Sequence, residues 1–121
     1  MNLDGEPVLD EAVLADLRAS VGDDQEFMVE LVETYVTEGT ANMDSLLAAA
    51  AAQDCAAIVR PAHTLKSTSA SLGAMRLSAI CRAIEQAGRD ARPETLREDA
   101  DLAREAWEAT LVAFGEAGLR A

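Results

Sequence analysis

The sequence predicts an all-α protein: an antiparallel, up-down four-helix bundle with a short additional helix at its N-terminus. Three observations carry this prediction. Half of the 121 residues are hydrophobic but only 3% are aromatic, and alanine, the best helix former, fills many positions. Apolar residues recur at steps of three and four along most of the chain. The breaks between these periodic stretches are short, and long amphipathic helices with short connections pack most simply as antiparallel neighbours. A chain of this length closes one apolar core, so residues 1–121 are read as a single domain.

The first helix is expected over 10–21, with Val13, Leu14 and Leu17 inward, Asp10 as N-cap and Leu9 stapled against Leu14. Gly22 closes it. Asp23 and Glu26 form the pattern of a capping box for a second helix over 23–52, which turns Phe27, Leu31, Val32, Tyr35, Met43 and Leu46 inward. Gly39, inside that helix, is expected to mark a local weakness or bend. Asp54 caps a third helix over 54–72, whose seam is Cys55, Ile58, Ala62, Leu65, Ser69 and Leu72, with Gly73 suited to its C-terminal end. Pro61 interrupts the backbone ladder of this helix and predicts a kink just before His63. A fourth helix over 74–89 buries Met75, Leu77, Ile80, Cys81 and Ile84. Pro93 fits the first turn of a fifth over 93–118, anchored by Trp107, Leu111 and Phe114.

The formal net charge of −12 argues against nucleic acid as a partner. Its distribution is more informative. Residues 1–54 hold thirteen acids against Arg18 alone, and residues 93–121 are again acidic. Residues 55–92 reverse the sign: Arg60, Lys66, Arg76, Arg82, Arg89 and Arg92 stand against only Glu85 and Asp90. A basic middle in an acidic protein suggests a docking face for something negative. Cys55 and Cys81 sit at apolar helix positions, and two cysteines with one histidine make neither a disulfide framework nor a zinc site of the usual spacing. Met1 to Leu9 contains Asp4 and Glu6 and leads into no apolar run, so no signal peptide or membrane span is read, and a cytoplasmic location is expected.

One residue stands apart from the core pattern. At about 100° per residue, His63 lies roughly a third of the helix circumference from the seam and faces water. Its helical neighbours are Val59, Arg60, Lys66 and Ser67, with Ala56 and Ala70 a turn further out. None is a carboxylate. An exposed imidazole without an acidic partner is largely neutral and nucleophilic at cellular pH. Lys66 can neutralise a phosphoryl group on the ring, and the small neighbours allow another backbone to approach it. On this reading, a ring bonded to a carboxylate would undo the assignment. Spacing alone leaves an ordinary surface histidine as the simpler interpretation.

The run Ala62-His63-Thr64-Leu65-Lys66-Ser67-Thr68-Ser69-Ala70-Ser71-Leu72-Gly73-Ala74 changes that balance. It resembles the signature of the histidine phosphotransfer (HPt) domains of phosphorelay two-component systems, and the likeness in helix order extends over most of the chain. The resemblance implies that His63 accepts a phosphoryl group from a receiver-domain aspartate and passes it to another, and that Lys66 supports the group's charge. Val59, Arg60, Ser67 and Ala70 are then the docking residues around it. It further implies a covalent carrier rather than a stand-alone enzyme, with no cofactor or metal of its own and Mg²⁺ on the partner receiver. Receivers of response regulators or hybrid kinases are the expected partners, and the chain is expected to be monomeric. Ser67 departs from the family's commonest glycine, which narrows the partner's approach. A helical interaction module that binds receivers without transferring phosphate is the alternative. A histidine-kinase dimerisation domain fits less well, because Thr64 rather than an acid follows the histidine.

Overall fold

The computed structural model describes residues 1–120, and among them there are five helices and no strand. These are α1 (Glu11–Ser20), α2 (Gln25–Ala51), α3 (Cys55–Ser71), α4 (Met75–Arg89) and α5 (Leu96–Glu116). The contacts run in a ring, α2 against α3, α3 against α4, α4 against α5 and α5 back against α2. This is the four-helix bundle expected from the sequence, and it sets α5 diagonally across the core from α3.

Local chemistry explains where each helix starts. Asp10 accepts hydrogen bonds from the amides of Ala12 and Val13, and Asp54 accepts one from Ala57. At α2 the cap is Asp24, which bonds the Phe27 amide, and not the expected Asp23. Asp23 instead takes a φ of +59° and donates its amide to the Arg18 carbonyl, finishing α1. The fifth helix begins at Leu96, three residues after Pro93, because the Leu96 amide first closes a turn onto the Pro93 carbonyl. α3 ends as expected, with the Ala74 amide bonded to the Ser69 carbonyl at 2.8 Å across Gly73.

Phe114, Met28, Leu46, Ile58, Leu65, Leu77, Ile80 and Ile84 are fully buried and fill the interior. Tyr35 lies against both Trp107 (centroids 5.4 Å apart) and Phe114 (5.9 Å), the latter nearly edge-on. Its hydroxyl shares a 2.7 Å hydrogen bond with Ser69, which satisfies both polar groups inside the core and ties α2 to α3. Gly39 is not the weak point the sequence suggested. It is buried, and a Cβ there would come within 2.8 Å of Trp107 Cζ3, so the missing side chain is the notch that seats the indole. Phe27, expected inward, is 43% exposed, because the buried line of α2 runs through Met28, Val32, Tyr35 and Gly39 and leaves Phe27 beside it.

The N-terminal segment closes one end of the bundle. Asp10 donates its amide to the Gly73 carbonyl at 2.7 Å, and Arg76 donates its own to Pro7 at 2.9 Å. The α3–α4 turn is thereby held, and with it the relative placement of the two helices that build the site.

Candidate functional site

α3 runs unbroken through Pro61, whose ring is buried, and presents His63 two residues beyond it with 55% of the side chain exposed. The placement at the surface agrees with the helical spacing. The surroundings do not. His63 Nδ1 lies 3.0 Å from Oε2 of Glu85, a residue of α4 whose side chain is only 7% exposed. The expectation of a ring free of any carboxylate is overturned, and for a simple reason: spacing along α3 shows only the neighbours that α3 itself supplies, while Glu85 reaches the ring from the adjacent helix.

Close helix packing makes that reach possible. Gly88, one turn after Glu85, lies so near α3 that a Cβ would come 2.9 Å from the Cys55 carbonyl oxygen and from Ile58 Cγ2. Ser78 adds a second stitch by donating its hydroxyl to the Lys66 carbonyl at 2.8 Å. A carboxylate on the α3-facing stripe of α4 is therefore delivered beneath the imidazole.

Glu85 is the hub of the site. Its Oε2 accepts hydrogen bonds from Arg89 Nε (3.0 Å) and Nη2 (2.8 Å) as well as from His63. Lys66 Nζ sits 2.6 Å from Oε1 as an ion pair, and Oε1 has no directed hydrogen bond besides it. Burial pushes the Glu85 carboxyl up, but Lys66, Arg89 and His63 outweigh it and hold the group down at about 2. The carboxylate is thus ionised throughout the physiological range and can only accept.

That fixes the histidine tautomer. An ionised carboxylate has no proton to give, so Nδ1 must carry the hydrogen and donate it. In the neutral ring Nε2 then holds the lone pair, away from Glu85. The acid that the sequence reading treated as disqualifying acts on one nitrogen and leaves the other available as a nucleophile. Cys81 does not compete, since burial pushes its thiol up to about 12.

Comparison with known proteins identifies the family. The Hpt domain profile matches residues 30–115. The chain belongs to the Hpt domain family. It is a histidine phosphotransfer intermediate of the phosphorelay type. Among solved structures, the Hpt fold here is similar to histidine-containing phosphotransfer protein B (HptB) from Pseudomonas aeruginosa PAO1. The two are 28% identical with a TM-score of 0.81, over 91% of this chain and 93% of the other. No curated protein sequence matches the chain.

Within this Hpt domain, His63 and Lys66 converge on Glu85, and Arg89 completes the cluster. Arg60 and Ser67 are exposed on the His63 side of α3, while Val59 and Ala70 are half-buried beside it. Lys66 is less free than the sequence implied, since its ammonium is already engaged. Glu85 and Arg89 are the residues that sequence reasoning missed. A signal for Glu85 was present: it is one of two acids in the basic segment, and it falls among Cys81, Ile84 and Gly88, on positions a solvated carboxylate does not need. Among the described residues no cluster of His, Cys, Asp and Glu could hold a metal, and no helix is long and apolar enough to cross a membrane.

Proposed function

We propose that His63 is the phosphoryl-carrying residue of this Hpt domain, taking the group from a receiver-domain aspartate and delivering it to a second one. The observation that carries this reading is the Nδ1–Glu85 hydrogen bond on a half-exposed ring, which leaves Nε2 unprotonated and turned outward. In the forward step Nε2 attacks the phosphorus of an aspartyl phosphate. The N–P bond forms as the P–O bond to the aspartate breaks, and the aspartate leaves as a carboxylate. Nδ1 keeps its proton throughout, so the ring becomes a phospho-imidazolium and gains positive charge. Glu85, remaining ionised, stabilises that charge and orients the ring, much as the buried aspartate does for histidine in a catalytic triad. It is a positioning residue. Reversal onto another aspartate uses the same groups.

Lys66 pairs with the second oxygen of the same carboxylate and keeps 30% of its side chain exposed, so its ammonium can be shared with the oxygens of an incoming phosphoryl group. The remaining charge neutralisation comes from Mg²⁺ on the receiver, so that this chain contributes a positioned nucleophile rather than a complete active site. Arg60, Ser67, Val59 and Ala70 form the docking rim, and the basic segment 55–92 complements an acidic receiver cleft. The chain works as a monomeric carrier in the cytoplasm. A module that only bound receivers would have no use for a tautomer held with its lone pair outward.

The test is incubation of the chain with a receiver carrying labelled phosphate. Label should pass to the wild-type protein and not to His63→Gln. Label retained by the variant, or absent from the wild type, ends the proposal.

A further inference from the structure

The outer side of α5, the helix diagonal to α3 and its His63 across the core, carries a second feature. Between α5 and the N-terminal segment runs an open trough of about 500 Å³, floored by Val8, Ala109 and Val112 and edged by Glu105, Glu108 and Glu116. Glu11 and Leu9 continue it toward α1. Glu105 to Glu116 spans about 16 Å of helix at 1.5 Å per residue, roughly three turns.

Two properties of the trough are unfavourable in the isolated chain. Val112 is 60% exposed, and only Met1 and Phe27 are other large hydrophobic side chains so exposed among the described residues. Glu11, Glu105, Glu108 and Glu116 line the same trough without a cationic partner at ion-pair distance among the described residues. Like charges three or four residues apart on a helix repel. A partner that covers the valine and brings positive charge relieves both costs at once. Its sign requirement is opposite to that of the His63 face, where the chain itself supplies the cations.

We propose that this trough docks a basic amphipathic helix of a partner protein, which presents an apolar residue to Val112 and lysines or arginines to Glu105, Glu108 and Glu116. The diagonal placement leaves His63 open, so this partner and a receiver can be bound together. The site is independent of the phosphotransfer reading.

The probe is an 18-residue model helix of leucine and lysine, with apolar residues at i, i+3, i+4 and i+7, titrated into the isotope-labelled full chain. Amide shifts should concentrate on Val8 and residues 105–116. Val112→Glu should weaken binding at least tenfold, and so should the double variant Glu108→Lys/Glu116→Lys. Phosphoryl transfer from a receiver should proceed at the unbound rate with the peptide in place. The proposal would be overturned by shifts spread over the acidic α2, by equal affinity for Val112→Glu, or by equal affinity for a control peptide with serine replacing leucine. Sedimentation showing wild-type self-association that Val112→Glu abolishes would assign the trough to a second copy of the chain and also overturn it.

Discussion

Replacing Glu85 with glutamine keeps the shape of the side chain and removes its charge, which isolates what the carboxylate does for His63. In the folded protein the contact is one charge-assisted hydrogen bond of 3.0 Å to Nδ1. Bonds of this kind contribute about 1.5–3 kcal/mol. The ring is 55% exposed and the carboxylate is shared with two cations, so the lower end applies. Only the part that strengthens as the ring gains charge lowers the barrier, and about 1.4 kcal/mol corresponds to roughly tenfold in rate. Glutamine can also turn its amide NH₂ toward Nδ1, which moves the ring proton to Nε2 and blocks the nucleophile. Rapid-quench transfer from a phosphorylated receiver should therefore slow about tenfold in Glu85→Gln. The ¹⁵N shifts of the His63 ring should move from a protonated Nδ1 toward a mixture of tautomers. A rate within twofold of wild type together with an unchanged tautomer would refute the reasoning.

Other consequences can be measured separately. The depressed Glu85 carboxyl binds its proton less readily folded than unfolded, so its stabilising contribution is complete above the ordinary value of 4.5 and is lost as pH falls toward about 2. Wild type and Glu85→Gln should thus converge in urea-unfolding free energy across that window, from a gap of at most about 3 kcal/mol; a gap independent of pH would contradict the assignment. Gly39→Ala should destabilise by about 1–3 kcal/mol despite alanine's better helix propensity, because the new Cβ meets the Trp107 ring, and a rise in the denaturation midpoint would contradict this. Ser67→Tyr should abolish transfer by covering the approach to His63 without altering the far-ultraviolet dichroism, and Lys66→Ala should slow transfer severalfold; wild-type rates in the tyrosine variant would move the docking face elsewhere.

The limits of sequence reading follow from which physics acts along a helix and which acts between helices. The expected seam is buried as a line from Ile58 through Ala62, Leu65 and Ser69 to Leu72, with Cys55 half-buried at its start, because its spacing is a property of α3 alone. His63 and its exposure were legible for the same reason. Glu85 was not, because its role depends on how closely α4 approaches α3, and that approach is set by Gly88 against Cys55 and Ile58. Gly39 was misread in the same way: judged within α2 it is a poor helix residue, and judged against α5 it is the space Trp107 occupies. Asp23 and Asp24 are adjacent candidates for one cap, and the closing of α1 decided between them. The resemblance to the HPt signature implies the chemistry proposed for His63, whereas the physical ground for that proposal, the Nδ1–Glu85 contact, lies between α3 and α4.

Which ring nitrogen carries the phosphate decides between these accounts of His63. After reaction with a phosphorylated receiver, ³¹P–¹⁵N correlation on the labelled protein should place phosphorus on Nε2 of His63 with Nδ1 still protonated. Phosphorus on Nδ1, or on any other residue, would contradict the role given to Glu85 and to the outward face of the ring.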